Sequence, residues 1–200
     1  MGLERIVSGQ MDKPGFGSHR YFASMEGRPH ISLSKIVSND NAEFVKLGEE
    51  KEAAYRGWEG RRYFAAENLT YDLFLAFYDP DSGRLWAWRF YDAKGIGKRI
   101  ESIIGSAASK GHHIEARIIG LQDLQGHLFL RQMMELLHRH AIKLVEADLF
   151  GREVRHIAID LKTGSSYTIL PGDRDPGPGE LVNHMTLEDF HREFILHQRA

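Results

Sequence analysis

The sequence contains no cysteine, no excess of charge of one sign and no long apolar run. Without cysteine the chain cannot form a disulfide, supply a thiol nucleophile or bind zinc through thiolates. No stretch reaches the roughly 18 to 20 apolar residues that a membrane-spanning helix requires. The opening MGLERIVSGQ lacks a basic segment followed by an apolar one, so we expect no signal peptide, no membrane partner and a cytoplasmic location.

The charge balance bears on the choice of partner. The chain has 26 Lys and Arg residues against 28 Asp and Glu residues, a formal net charge of −2. Proteins dedicated to duplex DNA usually carry a basic excess, so net charge does not support nucleic acid as a partner. A basic cluster at Lys94, Lys98, Arg99 and Lys110 keeps nucleic acid open. A protein partner is open too, and the oligomeric state is undetermined.

The pattern of apolar residues predicts the fold class α/β or α+β, with a mixed β-sheet, a central β-hairpin and helices packed on the sheet. The 200 residues suit a single domain, 1–200. We expect irregular strands in residues 1–40, and in 121–200 a helix, further strands and a C-terminal helix starting at Thr186. The region 40–120 is expected to run helix, strand, strand, strand, helix, strand, over 40–57, 62–66, 71–79, 84–92, 96–109 and 112–120.

The best-defined element is the hairpin in YDLFLAFYDPDSGRLWAWRFYDAKG, residues 71–95. Two runs rich in aromatic and branched residues flank DPDSG, whose residue types are typical of a tight turn. Because both faces of each run are apolar, we expect a central position in the sheet with layers on both sides.

The second run ends in Asp92-Ala-Lys94, and residues two apart on a strand share a face. If the loop has three residues, Pro80 pairs with Arg84 and Asp72 lies opposite Asp92, about 5 Å away at Cβ. Two such carboxylates favour Mg²⁺ or Mn²⁺ between them, and a lysine beside the metal can position a water for attack on a phosphate. With a four-residue loop, Asp72 would point to the other face.

These residues and the order of elements over about 40–120 resemble the PD-(D/E)xK nuclease superfamily, which includes restriction enzymes and junction resolvases. The resemblance implies a metal-dependent phosphodiesterase acting on nucleic acid. It would make Asp72 and Asp92 metal ligands and Lys94 the water-positioning residue. Family members often add a glutamate from the first helix, for which the candidates are Glu49, Glu50 and Glu52.

Other patterns remain open beside this one. Asp148, Asp160 and Lys162, with Glu146 as an extra ligand, form a second match to the same motif. A further hypothesis concerns phosphate binding at a helix start, where free amides attract anions. The residues for that site are Gly95, Gly97 and Lys98.

The alternative to catalysis is a non-enzymatic protein–protein interaction or binding module, with the hairpins as its contact surfaces. In that interpretation Asp72 and Asp92 are solvated strand ends, or Asp92 caps the following helix. The sequence holds eleven histidines, and none of the pairs weighed has a convincing third metal ligand. Those pairs are His138 with His140 and His184 with His191.

Overall fold

The computed structural model of this protein describes residues 20–25, 27–32, 35, 42–46, 48–54, 61–70, 72–90, 96–108, 111–120, 126–150, 154–170 and 182–189. Twelve strands lie in these ranges: β1 (Arg20–Ser24), β2 (His30–Ser32), β3 (Ala42–Phe44), β4 (Glu50–Ala54), β5 (Tyr63–Leu69), β6 (Leu73–Asp79), β7 (Arg84–Phe90), β8 (Glu115–Gly120), β9 (Lys143–Phe150), β10 (Arg155–Asp160), β11 (Ser166–Leu170) and β12 (Val182–Met185). Two helices of more than three turns accompany them, α1 (Ile96–Ala108) and α2 (Gly126–Arg139).

The expected α/β or α+β class is wrong, because strands dominate and form two sheets. The seven-stranded sheet has the order β12-β1-β9-β8-β6-β7-β4, and the five-stranded sheet has the order β2-β11-β10-β5-β3. Both sheets are mixed: β8 and β9 pair in parallel in the first, and β3 and β5 do so in the second. Helices are few among the described residues, and a second sheet packs where further helices were expected.

Apolar side chains on both faces of the seven-stranded sheet explain its central position. On one face, α1 and α2 pack through Ile100, Ile104 and Leu137 against β6 and β8. The other face meets the five-stranded sheet through a separate cluster, which includes Phe64, Phe74, Tyr78, Ile157 and Ile159. Full burial of each such side chain contributes about 1.5 to 3 kcal/mol. The prediction that layers cover the hairpin on both sides is therefore confirmed.

The helix expected over 40–57 is wrong for the described parts of that range. Residues 42–44 and 50–54 are the strands β3 and β4, which belong to different sheets. Gly48 interrupts them at a φ of 78°, a left-handed conformation that cannot continue a right-handed helix. β4 then pairs antiparallel with β7, so long-range pairing overrides the local helical pattern.

Several local predictions are confirmed. The hairpin forms from β6 and β7, the helix near 96–109 is α1, and β8, α2 and β9 form the expected parallel crossover. At the C-terminal end, the backbone N–H of Asp189 donates to Thr186 Oγ1 at 3.0 Å, which is the expected capping contact. No helix in the described part of the chain is long and apolar enough to cross a membrane.

Candidate functional site

The carboxylate of Asp72 is buried, with 1% of the residue exposed, and both of its oxygens are hydrogen-bonded. Oδ1 accepts the backbone N–H of Thr70 at 2.9 Å, and Oδ2 accepts Arg89 Nε. Arg89 Nη2 also donates to the carbonyl oxygen of Asn68 at 2.9 Å. Asp72 thus ties the start of β6 to the end of β7. A metal ion at this carboxylate would have to compete with the guanidinium of Arg89.

The register of the hairpin decides the geometry on which the predicted metal site depends. The pairs run from Asp79 opposite Arg84 to Leu73 opposite Phe90, so the loop has four residues. The three-residue loop, which would place Asp72 opposite Asp92, is therefore wrong. Asp92, Lys94 and Gly95 lie outside the described residues, so their roles stay predictions.

The other candidate residues of the predicted metal and phosphate sites do not lie beside Asp72. Glu50 and Glu52 lie on β4, which β7 separates from β6. Glu49 precedes that strand, and the backbone N–H of Lys46 donates to its Oε2 at 2.8 Å, which lowers the pKa of Glu49. In the first turn of α1, Gly97 is half-buried and Lys98 is exposed. Phosphate binding there remains a prediction.

Four ionised side chains and one serine converge between the sheets, in a group that we call the ionic layer: Arg28, Glu146, Asp148, Arg155 and Ser166. Arg28 donates from Nε to Glu146 Oε1 at 2.6 Å and from Nη1 to Asp148 Oδ2 at 2.5 Å. Arg155 Nε donates to Asp148 Oδ1 at 3.0 Å, and Ser166 Oγ donates to Glu146 Oε2. The charged members have at most 2% of their side chains exposed. This layer joins β9 of one sheet to strands of the other.

The second match to the nuclease motif is divided in the structure. Its residues Glu146 and Asp148 belong to the ionic layer, whereas Asp160 and Lys162 lie outside it. Asp160 ends β10, whereas Arg155, the partner of Asp148, begins that strand. Five residues of strand separate these positions by about 16 Å, at roughly 3.3 Å per residue. Asp160 instead accepts hydrogen bonds from Arg62 Nε at 2.9 Å and the backbone N–H of Lys162 at 2.9 Å.

One buried cation beside the ionic layer has ion pairs but few hydrogen bonds. Arg117 is 5% exposed, and among the described residues its Nε and Nη1 have no hydrogen-bond partner. Its Nη2 lies 3.6 Å from Glu115 Oε2 and its Nε lies 3.8 Å from Glu146 Oε2, both beyond hydrogen-bonding distance. In the described part of the chain, no three His, Asp or Glu side chains are grouped so that they could hold a metal ion.

A different kind of site lies at the turn between β6 and β7. His112 Nδ1 lies 2.7 Å from Asp79 Oδ2. Asp79 has 2% of its side chain exposed and His112 has 27%, so a buried carboxylate orients a partly accessible imidazole. Nε2 of His112 has no hydrogen-bond partner among the described residues. Nδ1 of His112 thus contacts the buried carboxylate, while the ring as a whole remains partly exposed.

The turn itself holds the carboxylate of Asp79 in place. Oδ1 accepts the backbone N–H groups of Asp81, at 2.9 Å, and Ser82, at 3.1 Å. Oδ2 accepts Ser82 Oγ at 2.6 Å in addition to the imidazole. Burial raises the pKa of Asp79, but the hydrogen bonds from Ser82 and His112 outweigh it and hold that pKa below its ordinary value. The carboxylate is therefore ionised at neutral pH.

A second histidine joins the same turn. The backbone N–H of His113 donates to Asp81 Oδ2 at 3.1 Å, and His113 Nδ1 lies 3.5 Å from that oxygen. The side chain of His113 is 88% exposed. Two consecutive histidines thus each face an aspartate of one turn. We refer to Asp79, Asp81, His112 and His113 as the dyad site.

Sequence reasoning treated the DPDSG segment as a turn only, and it missed the dyad site. The two partners of the buried pair are 33 positions apart. They meet because β6 and β8 pair antiparallel, with Tyr78 opposite Glu115. The available signal was a His-His pair directly before a strand, beside a turn rich in aspartate.

The turn after β10 resembles the turn between β6 and β7 but gives its aspartate a different partner. Asp160 begins a turn in which Gly164 N–H donates to the Asp160 carbonyl at 2.7 Å, as Gly83 N–H does to Asp79 at 2.8 Å. The carboxylate of Asp160 meets the guanidinium of Arg62, which is always charged, instead of an imidazole. Of an imidazole and a guanidinium, only the imidazole can exchange a proton near neutral pH.

The comparisons with known proteins provide no family for this chain. No family model matches the sequence. No curated protein matches it either. The resemblance to the PD-(D/E)xK nucleases therefore rests on the residues alone.

Proposed function

We propose that this protein is a hydrolase in which His112 acts as general base and acid, oriented by Asp79. The observation that carries the proposal is the 2.7 Å contact between His112 Nδ1 and the buried Asp79 carboxylate. A carboxylate in this position fixes the tautomer of the imidazole and stabilises the imidazolium that forms when Nε2 accepts a proton. An accessible acid–base group beside a carboxylate with a perturbed pKa is a characteristic of catalytic sites.

The nucleophile does not come from the neighbouring serine. Ser82 Oγ donates its proton to Asp79 Oδ2 at 2.6 Å, so His112 does not activate it. We propose that the attacking group is water or a hydroxyl carried by the substrate. We propose esters and phosphodiesters as the substrate class, because their cleavage requires a base for the attacking oxygen and an acid for the leaving oxygen.

Hydrolysis of p-nitrophenyl acetate and bis(p-nitrophenyl) phosphate tests this proposal. His112→Gln is expected to lower the rate by about 100-fold or more, the range that general acid–base groups contribute. Asp79→Asn should also lower it, because an amide cannot stabilise the imidazolium. His138→Gln, at an exposed histidine on α2, is the matched control. Equal rates in His112→Gln and the wild type, with both proteins folded, would refute the proposal.

The metal-dependent nuclease is a second candidate, favoured by one observation. The last four elements of the expected order are β6, β7, α1 and β8, and their strands are neighbours in one sheet, whereas strands replace the first helix in the described residues and β5 lies in the other sheet. In this candidate Asp92 and Lys94 act with Mg²⁺ or Mn²⁺ on nucleic acid. Cleavage of DNA or RNA would then stop in EDTA and in Asp92→Ala, whereas catalysis at the dyad site should persist in both.

A non-enzymatic interaction module, with a protein partner, is the function that remains if neither assay detects catalysis. Its test is recovery of a stoichiometric partner by affinity capture of the tagged protein, with salt washes to remove weak binders. A cytoplasmic location is part of the proposal, and microscopy of a fluorescent fusion tests it. Recovery of the partner by the His112→Gln variant as well would separate binding from the dyad site.

A further inference from the structure

Resting on the proposed function, we infer that the substrate of the dyad site is RNA, and that His113 supplies the acid that complements His112. The feature behind this inference is the pair of consecutive imidazoles held by one turn. Asp79 faces His112, and Asp81 faces His113. The two aspartates are themselves linked, because the Asp81 N–H donates to Asp79 Oδ1 at 2.9 Å.

The two imidazoles differ in exposure, which suits two different roles. His112 is 27% exposed and fixed by a buried carboxylate, an arrangement that suits a base held at one position. His113 is 88% exposed, and its Asp81 partner is 47% exposed. Both rings lie against the same turn, because His112 Nδ1 is 2.7 Å from Asp79 Oδ2 and His113 Nδ1 is 3.5 Å from Asp81 Oδ2. An exposed imidazole can donate its proton to a leaving oxygen at the surface.

The engagement of Ser82 with Asp79 favours a substrate that carries its own nucleophile. Ser82 is committed to Asp79, and RNA carries its own nucleophile in the 2′-hydroxyl next to each phosphodiester. His112 removes the proton of the 2′-hydroxyl, and O2′ forms a bond to phosphorus. The bond from phosphorus to O5′ breaks, and the imidazolium of His113 transfers its proton to O5′. The products are a 2′,3′-cyclic phosphate and a 5′-hydroxyl, and no water or oxidant is consumed.

Charge at the site is compatible with an anionic substrate during this step. Each aspartate of the dyad site faces one imidazole, and the carboxylate of Asp79 also accepts the hydrogen bonds of the turn. The two histidines precede β8, and both side chains are accessible. Duplex recognition, which the net charge of −2 does not favour, is not required.

The experiment uses one fluorescent oligoribonucleotide, the same sequence with a single 2′-deoxy position, and bis(p-nitrophenyl) phosphate, all in EDTA. The wild type is expected to cleave the RNA at every site except the 2′-deoxy position, and to leave cyclic phosphate ends that mass spectrometry identifies. His112→Gln and His113→Gln should each lower RNA cleavage about 100-fold, while His138→Gln should not. Thermal melting of each variant checks that it is folded.

The outcomes separate this inference from the function on which it rests. If bis(p-nitrophenyl) phosphate hydrolysis requires His112 while RNA and its 2′-deoxy analogue are cleaved equally, the substrate inference fails and the hydrolase stands. Unchanged RNA cleavage in folded His113→Gln overturns the role of His113. If His112→Gln changes no rate on any substrate, the hydrolase itself fails, and the inference fails with it.

Discussion

The ring of Tyr78 occupies the space in which Gly164 would carry a side chain. Gly164 adopts a φ of 73°, and a Cβ built on it would overlap the Tyr78 ring. The Tyr78 hydroxyl donates to the carbonyl oxygen of Leu161 at 3.1 Å, in the same turn. Tyr78, which precedes Asp79 of the dyad site in one sheet, thereby holds the turn between β10 and β11 of the other sheet.

Replacement of this glycine should therefore destabilise the protein in two ways. Gly164→Ala forces a Cβ into a left-handed conformation, at about 1 to 2 kcal/mol, and adds the overlap with Tyr78. Gly48→Ala is the control, because Gly48 has a φ of 78° and no atom within 4 Å of the added Cβ. We expect urea denaturation to give a larger loss for Gly164→Ala, and equal losses would mean that the ring yields without cost.

The ionic layer leads to a prediction about its central cation. Arg28→Met removes the guanidinium that bridges Glu146 and Asp148 and leaves both carboxylates buried without it. Loss of one partner of a buried ion pair costs about 3 to 5 kcal/mol. The free energy of unfolding in guanidinium chloride should fall by that amount. A change below 1 kcal/mol would show that the other partners of the layer suffice.

Replacement of Arg117 should not lower the free energy of unfolding as replacement of Arg28 does. Its Nε and Nη1 are buried and have no hydrogen-bond partner among the described residues, so they lose their hydration on folding for longer-range ion pairs only. Arg117→Met keeps a similar length and removes those donors, so we expect unchanged stability or a gain of about 1 kcal/mol. The same denaturation measurement as for Arg28→Met provides the comparison. A loss of 3 kcal/mol or more would assign Arg117 a stabilising charge interaction with Glu115 or Glu146.

The pair of Asp72 and Arg89 predicts a structural coupling that does not depend on metal. Removal of either partner leaves a buried polar group unpaired, at about 1 to 3 kcal/mol. In a double-mutant cycle of Asp72→Ala and Arg89→Ala, we expect a coupling energy of about 0.5 to 3 kcal/mol. Millimolar Mg²⁺ should not change it. A rise in melting temperature with Mg²⁺, lost in Asp72→Ala, would restore Asp72 as a metal ligand.

Stability should fall as the pH decreases through the ordinary titration range of histidine. Burial lowers the pKa of His156 below its ordinary value of 6.5, and the Asn68 N–H, 3.4 Å from its Nδ1, favours the neutral ring. Below pH 6.5 the unfolded chain binds a proton that the folded chain does not, so acid favours unfolding. Unfolding curves from pH 8 to pH 5 should show this slope, and His156→Gln should reduce it. An identical slope in that variant would place the titration elsewhere.

Local chemistry explains which parts of the fold the sequence predicts. The DPDSG turn brings its two flanking strands together within a few residues, so the β6–β7 hairpin needs no distant contact. Thr186 and Asp189 likewise form their cap within four residues. The parallel crossover of β8, α2 and β9 follows from the alternation of strand and helix along the chain.

Long-range pairing explains the errors. Residues 50–54 carry a pattern that suits a helix, but they pair with β7 and form an edge strand of the seven-stranded sheet. The hairpin loop holds four residues instead of three, and that difference moves Asp72 to the other face of the sheet. Nothing in the local sequence separates these two loop lengths, because Asp79 can cap either turn.

The sequence by itself determined the two runs of the β6–β7 hairpin, the position of their turn and the cap at Thr186, since each depends on residues only a few positions apart. Tertiary structure decided the division into two sheets, the register of the hairpin and the burial of ion pairs between the sheets. It also decided the dyad site, because Asp79 and His112 meet only after β6 and β8 pair. Sequence patterns record local preferences, whereas an acid–base pair of this kind is created by a contact between distant segments, which burial of apolar surface stabilises.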